Sequence, residues 1–201
     1  MTTALICPGP SLPDYWCDEL GEEYDDVVAV NSAAHVFTCD YIATVDNHIV
    51  APILHEHRHV PLKGFISHQT WLKQFKVLYP NHEMILLGPY HGTDVSPEME
   101  KRMNSDKCGY TMPNALYFCA TRVDYGDIHI FGFDAAMNQP DVVNGPGDRR
   151  WLRWYNELRW LKAYWHPAIK VFSTIDPEIL VWLADGNRRS DPPLPPKHGR
   201  N

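Results

Sequence analysis

Short apolar runs, each closed by small polar residues, recur along this chain. Ala4-Leu5-Ile6-Cys7, Val27-Val28-Ala29-Val30, Tyr41-Ile42-Ala43-Thr44-Val45 and Gly64-Phe65-Ile66-Ser67 all have strand length. So do Met84-Ile85-Leu86-Leu87-Gly88, Ile128-His129-Ile130-Phe131 and Ile169-Lys170-Val171-Phe172. The first runs are continuous, not alternating, which is how strands covered on both faces of a parallel sheet read. Helical spacing appears between them. Ser11 can cap a helix over Asp14 to Leu20, with Pro13 tolerated in its first turn. Pro113 and Asn114 open another, whose Leu116, Phe118, Cys119, Ala120 and Val123 suit burial against a sheet. Asp148 to Trp165 is the clearest: Trp151, Trp154, Leu158, Leu161 and Trp165 fall three or four apart and define one apolar stripe. Its Arg and Lys residues read as snorkelling cations on the exposed face, and its tryptophans as core or a contact between copies in a homo-oligomer. Pro177 to Ala184 is a short last helix.

This alternation predicts an α/β chain: Rossmann-like, a mostly parallel sheet with helices on both faces, one domain over residues 1–185. Residues 89–108 carry little apolar content and read as a lid-like insertion. Residues 186–201, rich in Pro, Arg and Lys, read as a disordered tail.

Composition narrows the partners. The chain has 201 residues, 44% hydrophobic and 12% aromatic, enough for one substantial core. A formal charge of −7 argues against a general binder of nucleic acid or anionic membrane. The five cysteines are odd in number and show no CxxC spacing. With no leader pattern and no apolar run of membrane-span length, the expectation is a cytoplasmic protein with reduced thiols. His55, His57 and His59 alternate as metal ligands on a strand would, but no cysteine or carboxylate completes a recognised spacing, and no metal is expected.

Candidate chemistry gathers where the strands end. In a parallel sheet, ligands sit at the carboxyl ends of strands. Gly9-Pro10-Ser11 follows the first run, Asn31 the second, Asp46-Asn47 the third, and Gly132-Phe133-Asp134 the strand at Ile128. The first bend, with Gly9 free to approach a ligand and Ser11 at a helix start, is expected to hold phosphate or another anion. Arg149 and Arg150, after Gly145-Pro146-Gly147, are further phosphate candidates. His91, between Tyr90 and Gly92 in the insertion, is placed for acid–base work. There is no Walker-type loop, no complete GxGxxG and no DxD triplet.

Several of these pieces, in the same order, resemble bacterial sialyltransferases that use CMP-sialic acid, and their wider relatives with a GPSL-type first loop. The matching stretches are Gly9-Pro10-Ser11-Leu12, Val30-Asn31, Val45-Asp46-Asn47, and Ala115 to Ala120 running on through Tyr125-Gly126-Asp127-Ile128 to Gly132-Phe133-Asp134. The resemblance implies that Gly9, Pro10, Ser11, Asn31, Asn47 and, by position, Asn114 hold the nucleotide, with Gly132 and Asp134 beside them. The chain departs from the family at Cys7-Pro8, where an asparagine is usual, and at Asn114-Ala115, where a Ser-Gly pair is usual. The family's catalytic histidine follows the Gly-Phe-Asp strand; here there is no histidine between Asp134 and Trp165, and His91 or Asp46 stands in as base.

The activity implied is sugar transfer from a nucleotide-sugar donor to an acceptor hydroxyl, with no cofactor and no metal bridging the phosphates. The same fold occurs in pterin diphosphokinase-like enzymes. A pyrophosphoryl transfer of that kind would need Mg²⁺ on carboxylates such as Asp46 and Asp134. A non-catalytic nucleotide-binding protein is the third expectation.

Overall fold

The computed structural model describes residues 2–44, 62–67, 69–86, 111–122, 126–134, 140–141, 145–146, 158–159, 161–162, 165, 167–187 and 190–193. Seven strands form one sheet: β1 (Thr2–Ile6), β2 (Asp26–Val30), β3 (Tyr41–Ala43), β4 (Gly64–Ser67), β5 (Glu83–Leu86), β6 (Asp127–Phe131) and β9 (Ile169–Phe172). Their order is β5-β4-β3-β2-β1-β6-β9, and every pair is parallel. A separate antiparallel pair joins β7 (Pro140–Asp141) to β8 (Gly145–Pro146). The helices are α1 (Leu12–Tyr15), α2 (Asp18–Gly21), α3 (Gln69–Leu78), α4 (Thr111–Arg122) and α5 (Pro177–Ala184), with a 3-10 turn over Asn31–His35. This is a single α/β domain of Rossmann-like kind.

Two apolar layers explain why continuous runs become strands. Leu5, Val28, Val30, Ile128 and Ile130 pack on one face with Leu116 and Cys119 of α4 and with Leu158 and Leu161. Ala4, Ile6, Val27, Ala29 and Phe131 pack on the other with Leu12, Trp16, and the Leu72 and Phe75 of α3. Alternate residues of one strand thus feed opposite cores, so neither set can be polar.

Three local features differ from the sequence expectations. The first helix is broken: Trp16 is extended, at φ −134° and ψ 138°, so α1 and α2 are one turn each. The break sends the indole into the core, 4.8 Å from the Phe131 ring and 5.7 Å from Tyr24. Helix α3 was not anticipated, although Leu72 and Phe75 are three apart and both buried. Lys162, expected on an exposed face, is 2% exposed. Its ammonium donates to the Trp182 carbonyl and, at 2.6 Å, to Asp185 Oδ1. It also lies 4.3 Å from the centroid of the Trp182 ring. A cation there satisfies the C-terminus of α5 and holds the Asp185 carboxyl below its usual range. The buried Leu158 and Leu161 fit the predicted stripe; most of the stretch Asp148–Trp165 predicted as a helix, the 89–108 insertion and the end of the tail lie outside the described residues.

The amino edge of the sheet is held by charge. Lys63 Nζ bridges Asp26 at 2.7 Å and Asp40 at 3.0 Å, and Asp40 also accepts the Val27 amide at 2.8 Å.

His129, in the middle of β6, resists protonation. Its Nδ1 is 2.8 Å from Tyr24 Oη, and its Nε2 is buried with no partner among the described residues. Burial pushes its pKa down and the Lys170 ammonium adds to this, against a smaller upward pull from Asp127. A histidine depressed in the folded state contributes stability that is complete above the unfolded value near 6.5 and is lost as pH falls through the lower folded value. Urea unfolding across pH 7 to 5 is therefore expected to show a decline that His129→Gln, which keeps an acceptor for Tyr24, makes shallower. An unchanged slope in the variant would assign the decline to other groups.

Candidate functional site

The sheet reverses its winding at one place. From β1 the chain moves outward through β2, β3, β4 and β5, and β6 returns to the opposite side of β1. Such a switch point opens a crevice at the carboxyl ends of the two strands. Here the following segments leave to opposite faces: Leu12 and Trp16 join one core, Phe133 the other. Gly9, Ser11, Gly132 and Asp134 meet in that crevice.

Backbone pairing continues past the ends of the strands. Cys7 N donates to Phe131 O at 2.8 Å and Gly9 N to Gly132 O at 2.9 Å. The two glycines are required by this approach. A Cβ on Gly9 would overlap the Gly132 carbonyl oxygen and stand 2.5 Å from Asp134 Oδ2. Gly132 has φ +64°, and a Cβ there would lie 2.6 Å from both the Cys7 carbonyl oxygen and Leu12 Cβ.

Asp134 closes the corner. It is 6% exposed, and its Oδ2 accepts the Ser11 amide at 2.9 Å. Its Oδ1 accepts the Ser11 hydroxyl, the Thr174 amide at 2.9 Å and the Thr174 hydroxyl at 2.9 Å. Two neutral residues thus surround one buried charge with four donors, the arrangement a desolvated carboxylate requires. Ser173 continues the tie by donating to the Phe133 carbonyl at 2.8 Å. Thr174 and Ser173 were missed from the sequence, although Phe172-Ser173-Thr174 repeats the pattern of an apolar run closed by small polar residues.

The first bend therefore differs from the anion cradle expected of it. Its amides are all committed: Cys7 and Gly9 to the β6 side, Ser11 to Asp134, Leu12 to Gly9 O and Asp14 to Ser11 O. Pro8, Pro10 and Pro13 have no amide hydrogen to offer. Ser11 stands at the N-cap of α1, as expected, yet makes no side-chain capping bond, because its hydroxyl goes to Asp134.

Asn31 sits at the neighbouring strand end. Ile6 pairs with Ala29, so β1 and β2 finish level and Asn31 stands beside the bend. Its φ is 47°, the sole positive value among the described non-glycine residues. Asparagine tolerates this region at a cost of about 1 kcal/mol. Its Oδ1 is buried without a hydrogen-bond partner among the described residues, as is Ser67 Oγ at the end of β4. Asn114 lies in the first turns of α4, which begins at this same edge because β5 and β6 are parallel. The expected site residues Asp46, Asn47, His91, Arg149 and Arg150 lie outside the described residues.

Two alanine substitutions separate backbone conformation from close approach. Gly132 and Gly186 both have positive φ, but nothing lies within 4 Å of a Cβ on Gly186. Gly186→Ala is expected to cost about 1–2 kcal/mol. Gly132→Ala adds the overlap with Cys7 and Leu12, for a total of about 3 kcal/mol or more. Denaturant midpoints that moved equally would show that the corner yields freely.

No helix among the described residues is long and apolar enough to cross a membrane, and these residues hold no cluster of three or more His, Cys, Asp or Glu arranged for a metal ion. Comparison with protein-family models, curated proteins and solved structures gives no match for this chain.

Proposed function

We propose that this protein is a nucleotide-binding transferase, of sialyltransferase-like type, that moves a sugar from a nucleotide-sugar donor to an acceptor hydroxyl. The observation that carries the reading is Asn31: a strained backbone and a buried oxygen with no partner among the described residues, at a strand end beside the switch point. Both features cost stability, the orphaned oxygen about 1–3 kcal/mol. A bound hydroxyl or amino group supplies the missing hydrogen bond. Costs of this kind concentrate where a ligand offsets them.

In this reading Asn31, with Asn47 and Asn114, holds the ribose and base. The donor's phosphates fall to Arg149 and Arg150, and a base at His91 or Asp46 takes the acceptor proton. The alternative Mg²⁺-dependent pyrophosphoryl transfer is less well supported. It calls on Asp134 as a metal ligand, and both Asp134 oxygens already accept protein hydrogen bonds.

A thermal-shift panel of CMP, UDP, GDP and ATP tests the reading, with stabilisation by one nucleotide expected. Hydrolysis of the matching nucleotide sugar then separates an enzyme from a non-catalytic binder. Asn31→Gly should relieve the backbone and remove the orphaned oxygen. Its melting temperature should rise, by an amount corresponding to about 1 kcal/mol, while the stabilisation by nucleotide disappears. A glycine variant that still responded to nucleotide would take Asn31 out of the site.

A further inference from the structure

Hydrogen-bond accounting at the first bend points to a ligand-reading mode opposite to an anion cradle. Every amide from Cys7 to Asp14 that carries a hydrogen donates within the protein. The carbonyls of Pro8 and Pro10 receive no backbone hydrogen bond among the described residues. Pro10 is exposed, and Pro8 and Gly9 are partly so. Level with them is the buried, unpartnered Asn31 Oδ1, again an acceptor. Behind them stands the Asp134 carboxylate, paired with no cation among the described residues and held by the donors that would otherwise face a ligand anion. Acceptor oxygens in front of a buried negative charge repel phosphate and attract O–H and N–H groups.

We propose that the bend after β1 reads its ligand through acceptors: it takes the hydroxyl or amino hydrogens of a nucleoside, and Asp134 is a built-in anion that keeps phosphate out. This deepens the nucleotide reading and rests on it for the identity of the ligand; the exclusion of phosphate rests on the bend alone. It assigns the bend to the neutral part of a nucleotide and places the phosphate-binding groups elsewhere on the carboxyl edge.

Backbone ¹H–¹⁵N titration of the full chain, with inorganic phosphate, cytidine and CMP as separate probes, decides the matter. Millimolar phosphate is expected to leave the Gly9, Ser11 and Leu12 amides unmoved, while cytidine shifts them. Cytidine and CMP are expected to shift the same Gly9, Ser11 and Leu12 amides, whatever affinity the CMP phosphate gains from groups elsewhere on the carboxyl edge. Shifts of these amides by phosphate, or binding of CMP that leaves them unmoved, would overturn the proposal. A protein that bound neither cytidine nor CMP would remove the nucleotide reading, and the phosphate titration would still judge the closed bend. Asp134→Ala supplies a second measurement. With the internal carboxylate gone, the Ser11 and Thr174 donors face an empty space, and inorganic phosphate or formate should raise the melting temperature of the variant but not of the wild type. A variant indifferent to both anions contradicts the role given to Asp134. If the variant does not fold, the wild-type titration stands alone as the test.

Discussion

One carboxylate holds the centre of this molecule together. β1 and β6 are the strands between which the sheet changes direction, and the chain leaves them toward opposite cores. Backbone pairing between the two strands runs on only as far as Gly9 and Gly132. Beyond that point Asp134 joins them by accepting donors from the turn after β1 and from the turn after β9, while Gly9 and Gly132 let the backbones approach without side chains between them. The buried charge is tolerable because four donors replace the water it lost. Remove the donors and the same charge becomes a liability, so the corner is fully made or not made at all.

The corner governs what the carboxyl edge can do. With its donors spent internally, the bend has lone pairs to present outward and no amides. Asn31 adds a further unsatisfied acceptor beside it, at the expense of a left-handed backbone. The opposite edge is built on other terms. There Lys63 neutralises Asp26 and Asp40, and Asp40 also accepts an amide from β2. One edge has its carboxylates matched by a cation, and the other carries the left-handed Asn31 with an acceptor that has no partner among the described residues. The proposed ligand chemistry is assigned to the carboxyl edge on the strength of the switch point and of Asn31.

Much of the fold was legible because a doubly covered parallel sheet leaves little freedom in composition. Val27 to Val30 cannot be anything but apolar when alternate residues enter different cores, so the run itself marks the strand. Helices were less legible where tertiary contacts overrode local pattern. The stretch after Ser11 carries a proline and acidic residues suited to a helix start, yet Trp16 breaks it to reach Phe131 and Tyr24. Lys162 looked like a surface cation because its sequence neighbours read as an amphipathic helix. Only the end of α5, brought against it from twenty residues away, makes burial of an ammonium acceptable.

From sequence alone followed the α/β class, the strand ends as the place for polar chemistry, and the gathering of Gly9, Ser11, Asn31, Gly132 and Asp134 at one edge. These are consequences of periodicity and of small polar residues closing apolar runs. The partners of those residues were decided in three dimensions. Whether the Ser11 amide faces a ligand or a carboxylate depends on Asp134, 123 positions along the chain. Thr174 enters the same cluster from the turn after β9. Local sequence offers each donor, and only the assembled fold supplies its acceptor.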